Sequence, residues 1–107
     1  MKEIIAIIRP EKHLPTIKAV LELGVEDIID QRVLGRGQQG GLRYLRPVPG
    51  QQSEEIVRFL PKRMLTWLVP EEKVPAVVES IIRTNHTSSY GDGKIFVCNL
   101  EGVEIGA

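Results

Sequence analysis

The feature that most constrains the fold is a motif that the chain repeats, once from position 9 and once from position 69. Arg9-Pro10-Glu11-Lys12-His13-Leu14-Pro15 aligns with Val69-Pro70-Glu71-Glu72-Lys73-Val74-Pro75. In both copies a strand-like apolar run ends at a proline and an acidic residue follows it. A second proline lies five residues after the first. Proline and acidic residues are both favoured in the first turn of a helix. The repeat therefore predicts two strand–helix units of similar build.

Apolar patterning supplies the other elements. Residues 4–8 predict a strand buried on both faces, and residues 25–37, 57–69 and 94–100 predict three more strands. Apolar residues at helical spacing predict helices after Pro10 and Pro70. The predicted order is strand, helix, strand, strand, helix, strand.

Two strand–helix–strand halves side by side make a ferredoxin-like βαββαβ sandwich. This is an α/β (α+β) fold in which two helices cover one face of an antiparallel sheet, and we expect residues 1–107 to form one domain. The other face, on which we place Trp67, needs a cover. The simplest cover is another copy of the chain.

Charge and composition exclude several classes of protein. The chain has 14 basic and 14 acidic residues, so it lacks the positive surplus that favours binding to nucleic acid. No apolar stretch approaches the length that spans a membrane, and the first residues lack the apolar run of a signal peptide. We therefore expect a cytoplasmic protein with no direct membrane insertion. His13 and His86 lie far apart and indicate no metal-ligand cluster.

A long irregular segment separates the second and third predicted strands. Glycine and proline interrupt every periodicity between residues 37 and 57, and irregular loops of this length are uncommon unless they are functional or disordered. Arg43, Tyr44 and Arg46 are residue types that anchor protein interfaces. We expect a loop that binds a partner; an inert insertion is the alternative.

Two glycine-rich segments are candidate anion sites. In the first, Gly91 and Gly93 flank Asp92 and precede Lys94, so the backbone N–H groups can approach an anion closely and lysine adds a charge. A tight turn without a ligand is the alternative. The second is Gly35-Arg36-Gly37-Gln38-Gln39-Gly40-Gly41, for which a flexible hinge is the alternative. No serine stands in a recognisable relation to a histidine, so we do not expect an enzyme.

Four segments resemble the PII signal-transduction family, in the family's order. Ile7-Ile8-Arg9-Pro10 is similar to its opening motif, and Gly35-Arg36-Gly37-Gln38-Gln39 to the base of its long T-loop. Phe59-Leu60-Pro61-Lys62 is similar to the segment where that loop re-enters the sheet, and residues 87–97 to the nucleotide-binding B-loop and its strand. The chain looks most like the branch encoded in nitrogen-fixation operons. In these terms the T-loop spans residues 37–57 and the B-loop residues 84–93.

The resemblance implies a homotrimer that binds ATP or ADP in clefts between subunits. Thr87 would reach the nucleotide from the adjoining subunit, and Lys62 would pair with a carboxylate of 2-oxoglutarate. Gln39 would contact both Mg²⁺ and 2-oxoglutarate. The positions that the resemblance assigns to nucleotide binding are Gly35, Gly37, Gln39, Thr87, Gly91, Asp92, Gly93 and Lys94.

The sequence departs from the family pattern at several positions. Ser88 stands where the family usually has a glycine, and Ile29 where a hydroxyl often meets the adenine. The family usually ends in a segment with two arginines, whereas no arginine follows Arg83 here. These positions bear directly on nucleotide affinity.

The sequence thus predicts a regulator that binds adenine nucleotide, with Mg²⁺ and 2-oxoglutarate as further ligands. Through the T-loop it would control a nitrogen-metabolism partner, with nitrogenase as the leading candidate. One alternative is a divergent PII-like protein that senses another small anion or regulates a transporter. Two others are a small ferredoxin-like hydrolase and a structural trimer with an inert loop.

Overall fold

The computed structural model describes residues 1–35, 59–88 and 91–101. Within these residues the order of elements is the predicted one. No helix in the described part of the chain is both long and apolar enough to cross a membrane. The elements are β1 (Lys2–Ile8), α1 (His13–Leu21), β2 (Ile28–Gly35), β3 (Leu60–Val69), α2 (Val74–Asn85) and β4 (Gly93–Asn99), with 3-10 turns at Pro10–Lys12 and Glu71–Lys73.

The four strands form one antiparallel sheet in the order β2-β3-β1-β4. β1 lies in the middle and pairs with β3 on one side and β4 on the other. This strand order and the two α-helices confirm the predicted α+β, ferredoxin-like class.

The repeated proline motif explains how each helix begins. In both halves a 3-10 turn directly precedes the α-helix: Pro10–Lys12 before α1 and Glu71–Lys73 before α2. The N–H of Lys12 donates to the Arg9 carbonyl at 3.0 Å, and the N–H of Lys73 donates to the Pro70 carbonyl at 2.9 Å. Each turn leads the chain from the end of a strand onto the covered face of the sheet.

The core lies between the helices and one face of the sheet. Alternate residues of β1 and β3 point to this face, as the two-residue period of a strand requires. Val77 and Ile81, which lie four residues apart on α2, pack against these strand residues. The buried apolar residues are Ile4, Ala6, Ile8, Val20, Val25, Leu65, Trp67, Val69, Val77 and Ile81.

A polar contact joins the two helices inside this layer. Asn85 Nδ2 donates to Thr16 Oγ1 at 3.0 Å and to the Ile81 carbonyl at 2.9 Å. Thr16 Oγ1 in turn donates to the Lys12 carbonyl at 2.7 Å. Because Thr16 and Asn85 are both buried, these bonds fix the C-terminal end of α2 against α1.

The placement of Trp67 on the uncovered face was wrong. Trp67 is 1% exposed and packs in the core beneath the helices. β3 has apolar side chains in both phases of its alternation, from Met64 to Leu68, so the sequence alone did not determine which phase faces the helices.

The uncovered face of the sheet is nevertheless apolar. Ile5 lies opposite Thr66 and Phe96, and Thr66 lies opposite Ile29. Ile29 and Phe96 are exposed, whereas Ile5 is only half-buried. β1 is therefore buried on one face only in the single chain, not on both as predicted.

We expect Trp67→Ala to lower the free energy of unfolding by about 3–5 kcal/mol, because it leaves a large cavity in the core. Leu14→Ala is the control: Leu14 is 66% exposed on α1, and its loss should change stability by less than about 0.5 kcal/mol. Urea unfolding followed by far-ultraviolet circular dichroism measures both without relying on the indole. Similar decreases in the free energy of unfolding for the two variants would contradict the buried position of Trp67.

Candidate functional site

Three strands bring the predicted anion-binding residues to one corner of the sheet. Ile8, the last residue of β1, lies opposite Arg63 of β3 and Gly93 of β4. Lys62 therefore comes close to the segment that precedes β4. Gly35, at the end of β2, is also near: a Cβ on it would lie 3.2 Å from Lys62 Cγ.

Two cationic side chains converge on a single backbone carbonyl at this corner. The Gly91 oxygen accepts a hydrogen bond from Lys62 Nζ at 3.1 Å and another from Arg9 Nε, also at 3.1 Å. Arg9 Nη2 lies 3.7 Å from Asp92 Oδ1, so the guanidinium also forms an ion pair with the next residue. The B-loop is thus attached to the ends of β1 and β3.

Burial and charge act together on Lys62. Partial burial lowers the pKa of the Lys62 amine, and the adjacent Arg9 guanidinium lowers it further. The carboxylates of Glu11 and Asp92 act in the opposite direction. An anion bound between the two cations would stabilise the charged form of Lys62, so the corner is electrostatically suited to an anion.

The Asp92 carboxylate organises the B-loop from within. It accepts a hydrogen bond from the Thr87 N–H at 2.8 Å and a second from the Thr87 hydroxyl. The bond from the Thr87 hydroxyl has the larger effect, and together the two bonds hold the pKa of Asp92 below its usual range. Thr87, expected to reach the nucleotide from an adjoining subunit, here contacts Asp92 of its own chain.

Ser88 adopts an unusual backbone conformation. Its φ is +63°, in the left-handed region that glycine enters without steric strain. Ser88 stands where the resemblance places a glycine, and it takes a backbone conformation that glycine enters easily. Ser88 Oγ lies 3.2 Å from His86 Nε2.

Gly93 has no room for a side chain. Its φ is +149°, and a Cβ would lie 2.8 Å from the Ile7 carbonyl and 3.3 Å from Ile8 Cγ2. The backbone of β1 therefore requires glycine where the B-loop enters β4. Lys94, the next residue, is exposed at the start of that strand.

Comparison with known sequences decides the family. The model described as "Nitrogen regulatory protein P-II" matches residues 1–105. The chain belongs to the P-II family. The resemblance inferred from the four motifs is confirmed.

Three relatives illustrate the similarity of this P-II chain to known proteins. It is 46% identical over 115 residues to the "Nitrogen fixation nifHD region glnB-like protein 2" of Methanococcus maripaludis, covering 96% of this chain and 89% of the relative. It is 42% identical over 106 residues to the protein of the same description from Methanothermobacter marburgensis, with 94% and 88% covered. It is 39% identical over 103 residues to "Nitrogen regulatory protein P-II 1" of Escherichia coli, with 96% and 88% covered. These descriptions support the similarity to the nitrogen-fixation branch.

Sequence reasoning missed one residue of the P-II corner. Arg9 was noted only as part of the opening motif, yet it contacts both Gly91 and Asp92. The internal repeat held a signal: the position equivalent to Arg9 is Val69, which is fully buried. Arg9 thus stands where the second copy has a buried apolar residue. This difference indicates that the first copy needs a charged side chain at this position for a local contact.

Several predicted positions lie outside the described residues. The corner as described consists of Gly35, Lys62, Thr87 and residues 91–94, together with Arg9. Across the described ranges, no group of three histidine, cysteine or acidic residues is arranged to hold a metal ion. The predicted positions that are not described are Gly37, Gln39, Arg43, Tyr44 and Arg46, all of which belong to the T-loop; the whole of that loop, 37–57, lies outside the described residues.

A groove of about 460 Å³ opens beside Lys62. Its lining is mostly apolar and includes the cationic residues Arg32 and Arg63 along with Lys62. Of these cations, Arg63 is paired with the Asp30 carboxylate at 3.0 Å, whereas Lys62 donates to the neutral Gly91 carbonyl at 3.1 Å. The remaining lining residues are Pro10, Val33, Leu34 and Pro61.

We expect Gly93→Ala to destabilise the protein by about 2–4 kcal/mol, since the new methyl group meets rigid backbone at a φ that disfavours alanine. Gly35→Ala is the matched control, because among the described residues its methyl group would meet the flexible Lys62 side chain and no rigid backbone. Thermal unfolding of both variants gives the comparison. Equal melting temperatures for the two variants would show that the β1 backbone shifts to accommodate a methyl group at position 93. Glycine would then not be required there.

Proposed function

We propose that this P-II chain is a regulatory protein that binds ATP or ADP at its B-loop, responds to 2-oxoglutarate, and controls a protein partner. The observation that carries the proposal is the convergence of Arg9 and Lys62 on the Gly91 carbonyl. It puts two positive side chains beside a glycine-framed loop, which is the chemistry that a phosphate or carboxylate ligand needs.

The B-loop supplies the phosphate contacts in this proposal. In the proposal the segment Gly91-Asp92-Gly93 lines the phosphate site, and the absence of side chains at both glycines lets an anion approach its backbone closely. Lys94 is exposed next to them and contributes a charge. The preference for an adenine base rests on family membership alone.

The second ligand in the proposal is 2-oxoglutarate, held by Lys62. Burial and the adjacent Arg9 guanidinium lower the pKa of this amine, and a ligand carboxylate placed beside it would act in the opposite direction. Mg²⁺ would be held by the nucleotide phosphates and by Gln39, since the described residues offer it no acidic cluster.

We infer that the protein is a homotrimer. Ile29, Leu68 and Phe96 leave an apolar surface on the uncovered face of the sheet, and a soluble chain covers such a surface most simply with copies of itself. In that assembly the nucleotide would lie between neighbouring subunits, bounded by Gly35 and Gly37 on one side and by the B-loop on the other.

The proposed partner is a nitrogen-metabolism protein of the cytoplasm, with nitrogenase the first candidate and a transporter the second. Two relatives are described by their place in a nitrogen-fixation nifHD region, which supports this choice. The T-loop, residues 37–57, would make the contact through Arg43, Tyr44 and Arg46. The protein would act by binding and not by catalysis.

One contact favours a second candidate function, hydrolysis. Ser88 Oγ is 3.2 Å from His86 Nε2, while His86 Nδ1 is 4.0 Å from Asp92 Oδ2, beyond hydrogen-bond distance. A nucleophile and a base are thus adjacent, but the group that would orient the base does not reach it. Release of phosphate from ATP would distinguish this function from ligand sensing.

We expect calorimetric titration to detect micromolar binding of ATP or ADP, strengthened by Mg²⁺ and 2-oxoglutarate. Lys94→Ala should weaken nucleotide binding roughly 10-fold or more, because it removes a charged hydrogen bond to phosphate. Lys18→Ala, on the exposed side of α1, is the control. If the wild type binds neither ATP nor ADP under any of these conditions, the proposal of nucleotide binding is refuted. Phosphate release that Ser88→Ala abolishes would favour the hydrolase.

We expect sedimentation velocity to give a species three times the mass of one chain. Phe96→Asp should dissociate it, since the new charge would be buried without a partner in the subunit interface. Leu14→Asp places the same charge on the outer side of α1 and should leave the trimer intact. If Phe96→Asp remains trimeric, the uncovered face is not the interface.

A further inference from the structure

The groove that Arg32 lines, called the Arg32 groove below, opens on the face of the sheet that the helices cover. Leu65 is buried in the core beneath the helices, and it lies opposite Asp30 of β2. Because strand side chains alternate between the two faces, Arg32 and Leu34 share this face with Asp30. The proposed subunit interface, which includes Phe96, lies on the other face.

The helical cover stops short of the Arg32 groove. α1 begins at His13, whose Nε2 lies 3.9 Å from Asp30 Oδ2. Leu34 lies four residues farther along β2, directly opposite Pro61 of β3. Leu34 is 70% exposed and Pro61 is exposed as well, so this end of the sheet offers an apolar surface that no described helix covers. Contiguous apolar surface on the outside of a protein often marks an interaction site.

Arg32 is the charge of this surface that the described residues leave uncompensated. No ion pair within the described residues includes it. It stands directly opposite Arg63, and like charges at opposed strand positions destabilise a sheet. Asp30, two residues before Arg32, donates no relief because its carboxylate accepts the hydrogen bond of Arg63 at 3.0 Å. An exposed guanidinium in an apolar groove is therefore available to a carboxylate from outside.

We propose that the Arg32 groove is a docking surface for a segment of a protein partner in which a carboxylate stands beside a large aliphatic side chain. The carboxylate would pair with the Arg32 guanidinium, and the aliphatic side chain would pack against Pro10, Leu34 and Pro61. The groove, about 460 Å³, has roughly three times the volume of a 150 Å³ cavity that holds a benzene molecule, so such a side chain fits.

Charge and shape together select this partner chemistry. The net charge of the chain is zero, which argues against a nucleic acid as the occupant. One uncompensated guanidinium among apolar walls matches one carboxylate in an apolar segment. The inference rests on the proposed function for the existence of a protein partner. It adds a contact surface outside the T-loop, and none of the described B-loop residues lines it.

The first test uses two peptides and the nucleotide-free protein. The probe is acetyl-Gly-Glu-Leu-Leu-Gly-amide, and its match has glutamine in place of glutamate. In nitrogen–proton correlation spectra we expect the glutamate peptide to shift the signals of Arg32 and Leu34, with a dissociation constant of roughly 1 mM. The glutamine peptide should bind roughly 5-fold more weakly. If neither peptide shifts these signals, the docking surface is refuted. Equal binding of the two peptides would refute the role of the Arg32 charge.

The second test uses variants of the groove with matched controls elsewhere. Arg32→Gln should abolish the preference for the glutamate peptide, and Leu34→Ser should weaken the binding of both peptides. Arg83→Gln and Leu14→Ser make the same changes at exposed positions of α2 and α1 and should bind as the wild type does. Because Arg32→Gln removes the repulsion from Arg63, its melting temperature should equal or exceed that of the wild type. A decrease of more than about 5 °C would make Arg32 a structural residue and overturn the proposal.

Other occupants of the groove would give different results. If Arg32→Glu lowers the mass of the oligomer in sedimentation velocity, the groove is a contact between copies of the chain. If the glutamate peptide binds only after deletion of residues 40–54, the groove belongs to that segment of the same chain. Either result overturns the partner proposal. Peptide binding by a protein that binds no ATP supports the groove and contradicts nucleotide sensing alone, whereas ATP binding without peptide binding does the reverse.

Discussion

The antiparallel pairing of β1 with two neighbours is the interaction on which the rest of this P-II chain depends. Because β1 lies between β3 and β4, its last residue faces the beginning of both. That register brings Lys62 and Gly93, which are far apart in sequence, to the same corner. The first residue after the strand, Arg9, then lies where it can reach the B-loop. The proposed binding corner is a direct result of strand order.

Electrostatics at this corner differ from those of the whole chain. The net charge is zero, yet Arg9, Lys62 and Lys94 gather near a loop whose one acid, Asp92, is already hydrogen-bonded to Thr87. Net charge therefore argues against a polyanion as partner but contains no information on a small anion. Such a ligand depends on the local arrangement of a few groups, which strand register and not composition determines.

Much of the fold could be predicted from the sequence, because its signals are local and repeated. The proline motif determined where both helices begin, and apolar runs located the four strands. The face on which Trp67 lies could not be predicted, since β3 is apolar in both phases from Met64 to Leu68. The lysine and glycines of the site were recognised by family motifs. The bond from Arg9 to Gly91 was not, because a contact between residues so distant in sequence leaves no local pattern.

The two ends of the B-loop are fixed by different means. Asn85 ties the end of α2 to Thr16 inside the core, and Gly93 fits so tightly against Ile7 that β4 can start in only one way. A substitution in the described residues between these anchors, 86–88 and 91–92, therefore leaves both anchors in place, and its effect falls on the contacts that the loop makes with Arg9 and Lys62.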